Sequence, residues 1–107
     1  MSGAGSLTII TFVWTAGIAP GKTSSAMKFA HEISAYMHTT FGVDIDVLRP
    51  IGGNPQCVAW SVQYQDLAAL DSISQKSFAD KHYWELVNKA RDNFMAGSMR
   101  DSIWQSM

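Results

Sequence analysis

The stretch LTIITFVWTA, residues 7–16, decides the fold because it alternates like a β-strand and is apolar on both faces. Phe12 and Trp14 lie on one face, and Ile9 and Val13 lie on the other. An antiparallel strand commonly has one polar face toward water, so a strand with two apolar faces must be covered twice. The rest of the fold has to supply both covers.

The turn after this strand resembles a phosphate-binding loop, since residues 16–23 read AGIAPGKT. That loop requires a glycine, four further residues and then Gly-Lys-Ser/Thr, so that backbone N–H groups cradle phosphate. The first glycine position holds Ala16, and Gly17 comes one residue too late. We therefore interpret the Pro20–Gly21 pair as a strand-to-helix turn and expect no nucleotide cofactor.

A helix and a hairpin are predicted next. Apolar residues recur at helical spacing until Gly42, which ends the helix: Ala26, Ala30, Ile33, Met37 and Phe41. In residues 43–47, VDIDV, apolar residues alternate with aspartates, which predicts a strand that is polar on one side. The turn cluster PIGGNP follows at 50–55. Residues 56–64 form a third strand, with Trp60 on one face and Cys57 on the other.

The second half predicts helix in two pieces, capped by Asp66 and Asp80. The second piece should end at Gly97, and its apolar stripe is Tyr83, Val87, Ala90 and Phe94. The remaining residues, MRDSIWQSM, are long enough for a fourth strand.

The order β-α-β-β-α-β predicts an α+β, ferredoxin-like fold with a four-stranded antiparallel sheet, strands one and three at its centre. We expect one domain over residues 7–107, after a disordered N-terminus at 1–6. Helices can cover only one face of this sheet. A second copy of the chain is the simplest cover for the other face, which predicts a homodimer with two sheets packed face to face.

Composition limits the partners. The 107 residues are 47% hydrophobic and 16% charged, with a net charge of −1, so no basic surface is expected for nucleic acid or for a membrane. Cys57 is the single cysteine, which favours a cytoplasmic location. No Lys or Arg precedes the apolar run at 7–19, which argues against a signal peptide.

The chain also resembles a known superfamily. The stretches PGKTSSAMKFAHEISAYMHTTFGVDIDVLRPIGG, VAWSVQYQDLAAL and GSMRDSIWQSM are similar to dimeric α+β barrel proteins, above all to uncharacterised bacterial proteins related to NIPSNAP domains. The resemblance implies the predicted fold and dimer, but not one activity, because the superfamily includes monooxygenases, isomerases and heme enzymes. Its heme-degrading members have an Asn on strand one and a ligating His on the second helix. This chain has no Asn on strand one and has Leu86 or Val87 at the aligned position, so we expect no heme and no other cofactor.

The candidate pocket residues are aromatic and imidazole side chains: Trp14, Trp60, Tyr64, His82 and His31. Large aromatics on a sheet face can line an apolar pocket, although they equally well fill a core or a dimer interface. His82 could carry a proton at a cleft or could lie on the surface. His31 and His38 are separated by about 10 Å along the helix, too far to share one metal ion, so no metal site is expected.

Three functions follow from these observations. The chain could bind a small apolar or aromatic molecule between its sheet and its helices. It could be a cofactor-independent monooxygenase-like enzyme acting on an aromatic or polyketide-like substrate, with Trp60, Tyr64 and His82 in the site. It could also be a structural dimer without a ligand. A cavity of about 300 Å³ or more separates the first two from the third.

Overall fold

Residues 8–107 are the part of the chain that the computed structural model describes. The elements follow the order β1-α1-β2-β3-α2-α3-β4, and their bounds are β1 Ile10–Gly17, α1 Thr23–Phe41, β2 Ile45–Leu48, β3 Cys57–Tyr64, α2 Leu67–Phe78, α3 Lys81–Ala90 and β4 Arg100–Gln105. The N-terminus predicted to be disordered, residues 1–6, lies outside the described residues, as does Leu7.

The four strands form one antiparallel sheet in the order β2-β3-β1-β4. The predicted α+β class and the central position of β1 and β3 are therefore confirmed. Trp14 of β1 lies opposite Trp60 of β3 and, on its other side, opposite Asp101 of β4. Residues paired in this way point to the same face of the sheet.

Helix α1 forms where the apolar stripe predicted it. Its buried residues are Ala26, Ala30, Ile33 and Met37, which pack against the sheet. Gly42 ends the helix in the left-handed conformation, with φ of 70°; its N–H group donates to the carbonyl of His38, and the N–H of Val43 donates to the carbonyl of Met37. A residue with a Cβ would be strained in this conformation, so the predicted glycine stop is confirmed.

The second helical region is shorter than predicted. Asp66 and Asp80 cap α2 and α3 as expected, but α3 ends at Ala90 and a short 3₁₀ turn, Arg91–Asn93, follows it. Gly97 does not end this helix, and Phe94 is extended rather than helical.

The chain leaves the helix here because it pairs with the end of β1. Phe94 forms an isolated β-bridge with Ile18, Ala19 N donates to Asn93 O at 2.9 Å, and Met95 N donates to Gly17 O at 2.9 Å. These bonds satisfy backbone groups beyond β1 that a continued helix would leave without partners.

The two faces of the sheet differ in their cover. Val58, Trp60 and Val62 of β3 lie on the face toward α1 and are buried there, so the tryptophan side of β1 and β3 is the helix side. The opposite face, which we call the open face, has no helix on it within residues 8–107. None of the described helices is long and apolar enough to cross a membrane.

Candidate functional site

A cavity of about 570 Å³ lies on the helix side of the sheet. The sheet contributes one wall through β1 and β3, and α1 and α3 contribute the facing walls. The segment that leads from the 3₁₀ turn into β4, residues 94–99, forms one rim; we call it the rim segment. Five aromatic side chains line this cavity: Trp14, Phe29, Trp60, Tyr83 and Phe94.

These aromatic rings contact one another in a fixed arrangement. Trp14 and Trp60 stack with ring centroids 5.4 Å apart and planes 10° apart. Phe94 lies 6.2 Å from Trp60, and Phe29 meets Phe94 edge to face at 5.8 Å. Edge-to-face and offset-stacked contacts are the favoured geometries for aromatic pairs. The cavity therefore has a rigid aromatic floor.

The indole N–H of Trp60 already has a hydrogen-bond partner within the protein. Its Nε1–H donates to the carbonyl of Ala30 at 3.3 Å, and the side chain is 1% exposed. A buried indole N–H needs such a partner. Trp60 therefore supports the cavity wall from within the core and offers a ligand no free donor.

The rim segment is fastened to the end of β1. Ser98 Oγ accepts a hydrogen bond from Gly17 N at 2.9 Å and donates to Met95 O at 2.6 Å. A Cβ on Gly17 would lie 2.7 Å from Met95 Cε and 3.2 Å from Ser98 Cβ. The rim segment can cross β1 this closely because residue 17 has no side chain.

The polar side chains of the cavity come mostly from α3 and the turn after it. Asn88, Arg91 and Asp92 are exposed at the mouth, whereas Tyr83 is half-buried. Burial and, to a smaller extent, the negative charge of Asp101 raise the pKa of the Tyr83 phenol. Tyr83 is therefore protonated at neutral pH and can donate a hydrogen bond.

The structure brings together only part of the predicted set. Trp14 and Trp60 line the cavity, but Tyr64, His82 and His31 are not among its lining residues. Tyr64 is half-buried at the far end of β3, where burial raises the pKa of its phenol. His31 is exposed and lines a second, more polar cleft of about 500 Å³ beside Arg49.

His82 lies on the surface near the start of α3. Its ring meets that of Tyr36 with centroids 4.8 Å apart, and its Nδ1 lies 3.8 Å from a carboxylate oxygen of Glu85. Tyr36 in turn donates a short hydrogen bond to Asp80, the residue that caps α3. This cluster ties α1 to α3 outside the cavity.

The sequence prediction missed Phe29, Tyr83 and Phe94 as cavity residues. Tyr83 was assigned to the core stripe of the second helix, and Phe94 to a helical position that it does not occupy. One feature of the sequence could have identified Phe29 as a cavity residue. It lies four residues before Ile33, which places the two side chains on the same face of α1 on neighbouring turns. Both of these residues line the cavity.

No cluster of three or more His, Cys, Asp or Glu side chains suited to a metal ion occurs in residues 8–107. His38, the second helix-one histidine, is exposed and pairs with Asp44 at 2.8 Å. The described cavity walls contain no histidine or cysteine.

The fold is shared with several solved structures. An uncharacterised NIPSNAP-like domain protein from Burkholderia xenovorans is 14% identical over 92% of this chain and 85% of that chain, with a TM-score of 0.78. A NIPSNAP family protein from Agrobacterium tumefaciens is 16% identical over 92% and 86%, with a TM-score of 0.73. A conserved protein from Bacteroides thetaiotaomicron, described as a possible oxidoreductase, is 13% identical over 94% and 98%, with a TM-score of 0.64.

At these identities the likeness establishes a common fold. The predicted resemblance to NIPSNAP-related proteins is therefore confirmed. No family model matches the chain, and no curated protein matches it significantly.

Proposed function

We propose that this protein is a homodimer that binds a small apolar or aromatic molecule in the cavity between its sheet and its helices. The observation that carries the proposal is the cavity of about 570 Å³ with five aromatic side chains in its walls. Ligand sites in proteins are commonly concave, mostly apolar and of about 300–1,000 Å³.

The chemistry of the walls supports an apolar ligand. Trp14, Trp60, Phe29 and Phe94 present ring carbon, and Ile33 and Val87 present aliphatic carbon. Burying apolar surface contributes roughly 25 cal/mol per Å², so about 200 Å² of ligand carbon contributes about 5 kcal/mol. The aromatic floor is already formed without a ligand, which reduces the ordering cost of binding.

The open face supports the homodimer. On this face the two central strands carry only uncharged residues, among them Val13, Thr15 and Ala59, and the charged side chains Asp46 and Arg100 are confined to the edge strands. Trp104 of β4 also points to this face and is 66% exposed. A second copy of the sheet would cover these residues, as in other face-to-face sheet packings.

The enzyme alternative has less support. Tyr64 and His82, which were to position substrate and move a proton, lie outside the cavity walls. The Bacteroides thetaiotaomicron protein described as a possible oxidoreductase shares only the fold, and folds of this kind host many activities. We therefore propose binding and not turnover.

Naphthalene is a suitable first probe because it is flat, apolar and uncharged. We expect saturable binding by equilibrium dialysis, together with a change in tryptophan fluorescence from Trp14 and Trp60. Val87→Phe would place a phenyl ring in the cavity, where it competes with naphthalene for space. We expect binding to weaken at least about tenfold, which corresponds to a loss of about 1.4 kcal/mol of binding free energy. Leu86→Phe is the matched control, because Leu86 packs on the core but does not line the cavity.

Two results would overturn the proposal. One is the absence of saturable binding to the folded wild-type protein. The other is a Val87→Phe variant that melts as a folded protein and binds naphthalene as well as Leu86→Phe does.

A further inference from the structure

The cavity has one polar group on its half-buried wall that a ligand can use. Of the described polar side chains that line it, Ser98 is engaged with Gly17 N and Met95 O, and Trp60 Nε1–H is engaged with Ala30 O. Asn88, Arg91 and Asp92 are exposed at the mouth. Tyr83 is half-buried among the aromatic rings. Among these lining side chains Tyr83 is therefore the half-buried one whose polar group makes no hydrogen bond described above, and its phenol O–H is available to a ligand.

A carboxylate lies on the same side of the sheet as this phenol. Asp101 lies directly opposite Trp14 in the β1–β4 register, so its side chain is on the helix face of the sheet, next to the cavity. Its charge is felt by Tyr83, since it helps to raise the pKa of that phenol. Asp101 is exposed to solvent.

One further side chain adds negative charge on the same side, because Asp92 lines the cavity and is exposed. Arg91 is the one cation among the described lining residues, and it is exposed and adjacent to Asp92 in the chain.

We propose that the cavity selects uncharged, flat aromatic molecules that carry a carbonyl oxygen, with Tyr83 donating to that oxygen and Asp101 excluding carboxylates. This inference rests on the proposed function, because it requires that the cavity binds a ligand. A neutral carbonyl accepts the phenol hydrogen bond and brings no charge next to Asp101. A carboxylate in the same position brings a second negative charge to the side of the cavity that carries Asp101, and the two like charges repel.

Three probes with the same ring system separate the contribution of the hydrogen bond from that of the charge repulsion. They are naphthalene, 2-acetylnaphthalene and 2-naphthoate, which is ionised at neutral pH. We expect the wild-type protein to bind 2-acetylnaphthalene at least about threefold more tightly than naphthalene, as one neutral hydrogen bond provides. We expect 2-naphthoate to bind at least about tenfold more weakly than the ketone.

Variants assign these preferences to residues. Tyr83→Phe removes only the hydroxyl and should abolish the preference for the ketone over naphthalene. Asp101→Asn should improve 2-naphthoate binding relative to naphthalene about threefold or more. Glu32→Gln is the matched control, because Glu32 is an exposed carboxylate on α1 that is not among the lining residues of the cavity, and it should change none of the three affinities.

The outcomes distinguish this inference from the function on which it rests. If naphthalene does not bind, the proposed function fails. If naphthalene binds but 2-naphthoate binds as tightly as the ketone in the wild-type protein, the proposed selectivity is wrong and the binding function stands. An Arg91→Gln variant that loses 2-naphthoate binding would likewise overturn it, because Arg91 would then be a carboxylate receptor. The wild-type comparison needs no variant to fold.

Discussion

Trp14 lies parallel to Trp60 across the β1–β3 pair, with ring centroids 5.4 Å apart and a 10° angle between the ring planes. Both rings line the cavity, and Trp60 is also anchored to α1 through the carbonyl of Ala30. The same indole thus belongs to the core of the domain and to the floor of the candidate site. Substitutions at Trp60 should therefore lower the stability of the domain, whether or not they also change ligand affinity.

We expect Trp60→Ala to reduce the free energy of unfolding by about 3–5 kcal/mol, the usual cost of truncating a fully buried aromatic side chain. Such a loss is a large fraction of the stability of a small domain. Denaturant unfolding followed by circular dichroism measures it. Ile103→Ala is the control, because Ile103 is 55% exposed and should change stability by less than about 1 kcal/mol. Equal losses in the two variants would contradict the packing role.

The two capping aspartates should differ in their contribution to stability. Asp66 accepts one backbone hydrogen bond, from Ala69 N at 2.8 Å. Asp80 accepts from Tyr83 N at 3.1 Å and also from the hydroxyl of Tyr36. Loss of a helix cap costs about 1 kcal/mol, and Asp80→Ala additionally removes the bond that ties α1 to α3.

Asp80→Ala should therefore lower the melting temperature more than Asp66→Ala does. A double-mutant cycle with Tyr36→Phe should show coupling at Asp80 and none at Asp66. A purely additive cycle at Asp80 would mean that the hydroxyl contact does not stabilise the fold.

The homodimer is tested on the open face. Val13 is half-buried at the centre of β1 on this face, so Val13→Lys would place a charge in the middle of the sheet-to-sheet contact. We expect wild-type protein at low micromolar concentration to sediment with twice the mass of the 11.8 kDa chain, and Val13→Lys with one chain mass or unfolded.

Ala35→Lys is the matched control, because Ala35 is exposed on α1, away from the open face. This variant should remain a dimer. A well-folded wild-type monomer at low micromolar concentration would defeat the homodimer proposal, since the open face would then be stable in water.

Much of the fold could be predicted because local signals agreed with the global pattern. Gly42 ended a helix, Asp66 and Asp80 began two, and the uncharged strands were the central ones. Phe94 shows the limit of this approach. Its spacing matches the helical stripe. Backbone hydrogen bonds nevertheless join Asn93 to Ala19 and Met95 to Gly17, about 75 residues earlier in the chain, and hold this segment in an extended conformation.

The candidate site was less predictable than the fold. Because β1 is apolar on both faces, its alternation could not indicate which face meets the helices, and the position of Trp14 and Trp60 depended on that choice. Tyr83 and Asp101 are separated in the chain, and the charge of Asp101 acts on the Tyr83 phenol only because the β1–β4 register places Asp101 on the helix side of the sheet. No local pattern contains that relationship.

The tyrosines give a prediction about alkaline pH. Burial raises the pKa of Tyr64, and burial with the charge of Asp101 raises the pKa of Tyr83, above the usual value of about 10. A raised pKa in the folded state means that the folded protein holds its proton more tightly than the unfolded chain. The associated stability is fully present below about pH 10 and is lost as the pH rises through the folded-state pKa.

We therefore expect the free energy of unfolding of the wild-type protein to fall as the pH rises above about 10, and to fall less steeply in Tyr83→Phe. Absorbance titration of the phenolates provides a second measure. In the folded protein the Tyr83 step, identified as the difference between wild type and Tyr83→Phe, should lie above pH 10, and in strong denaturant it should return to about 10. Asp101→Asn should lower the folded-state midpoint of that step while the Tyr64 step stays in place. If Asp101→Asn leaves the Tyr83 midpoint unchanged, Asp101 does not act on this phenol.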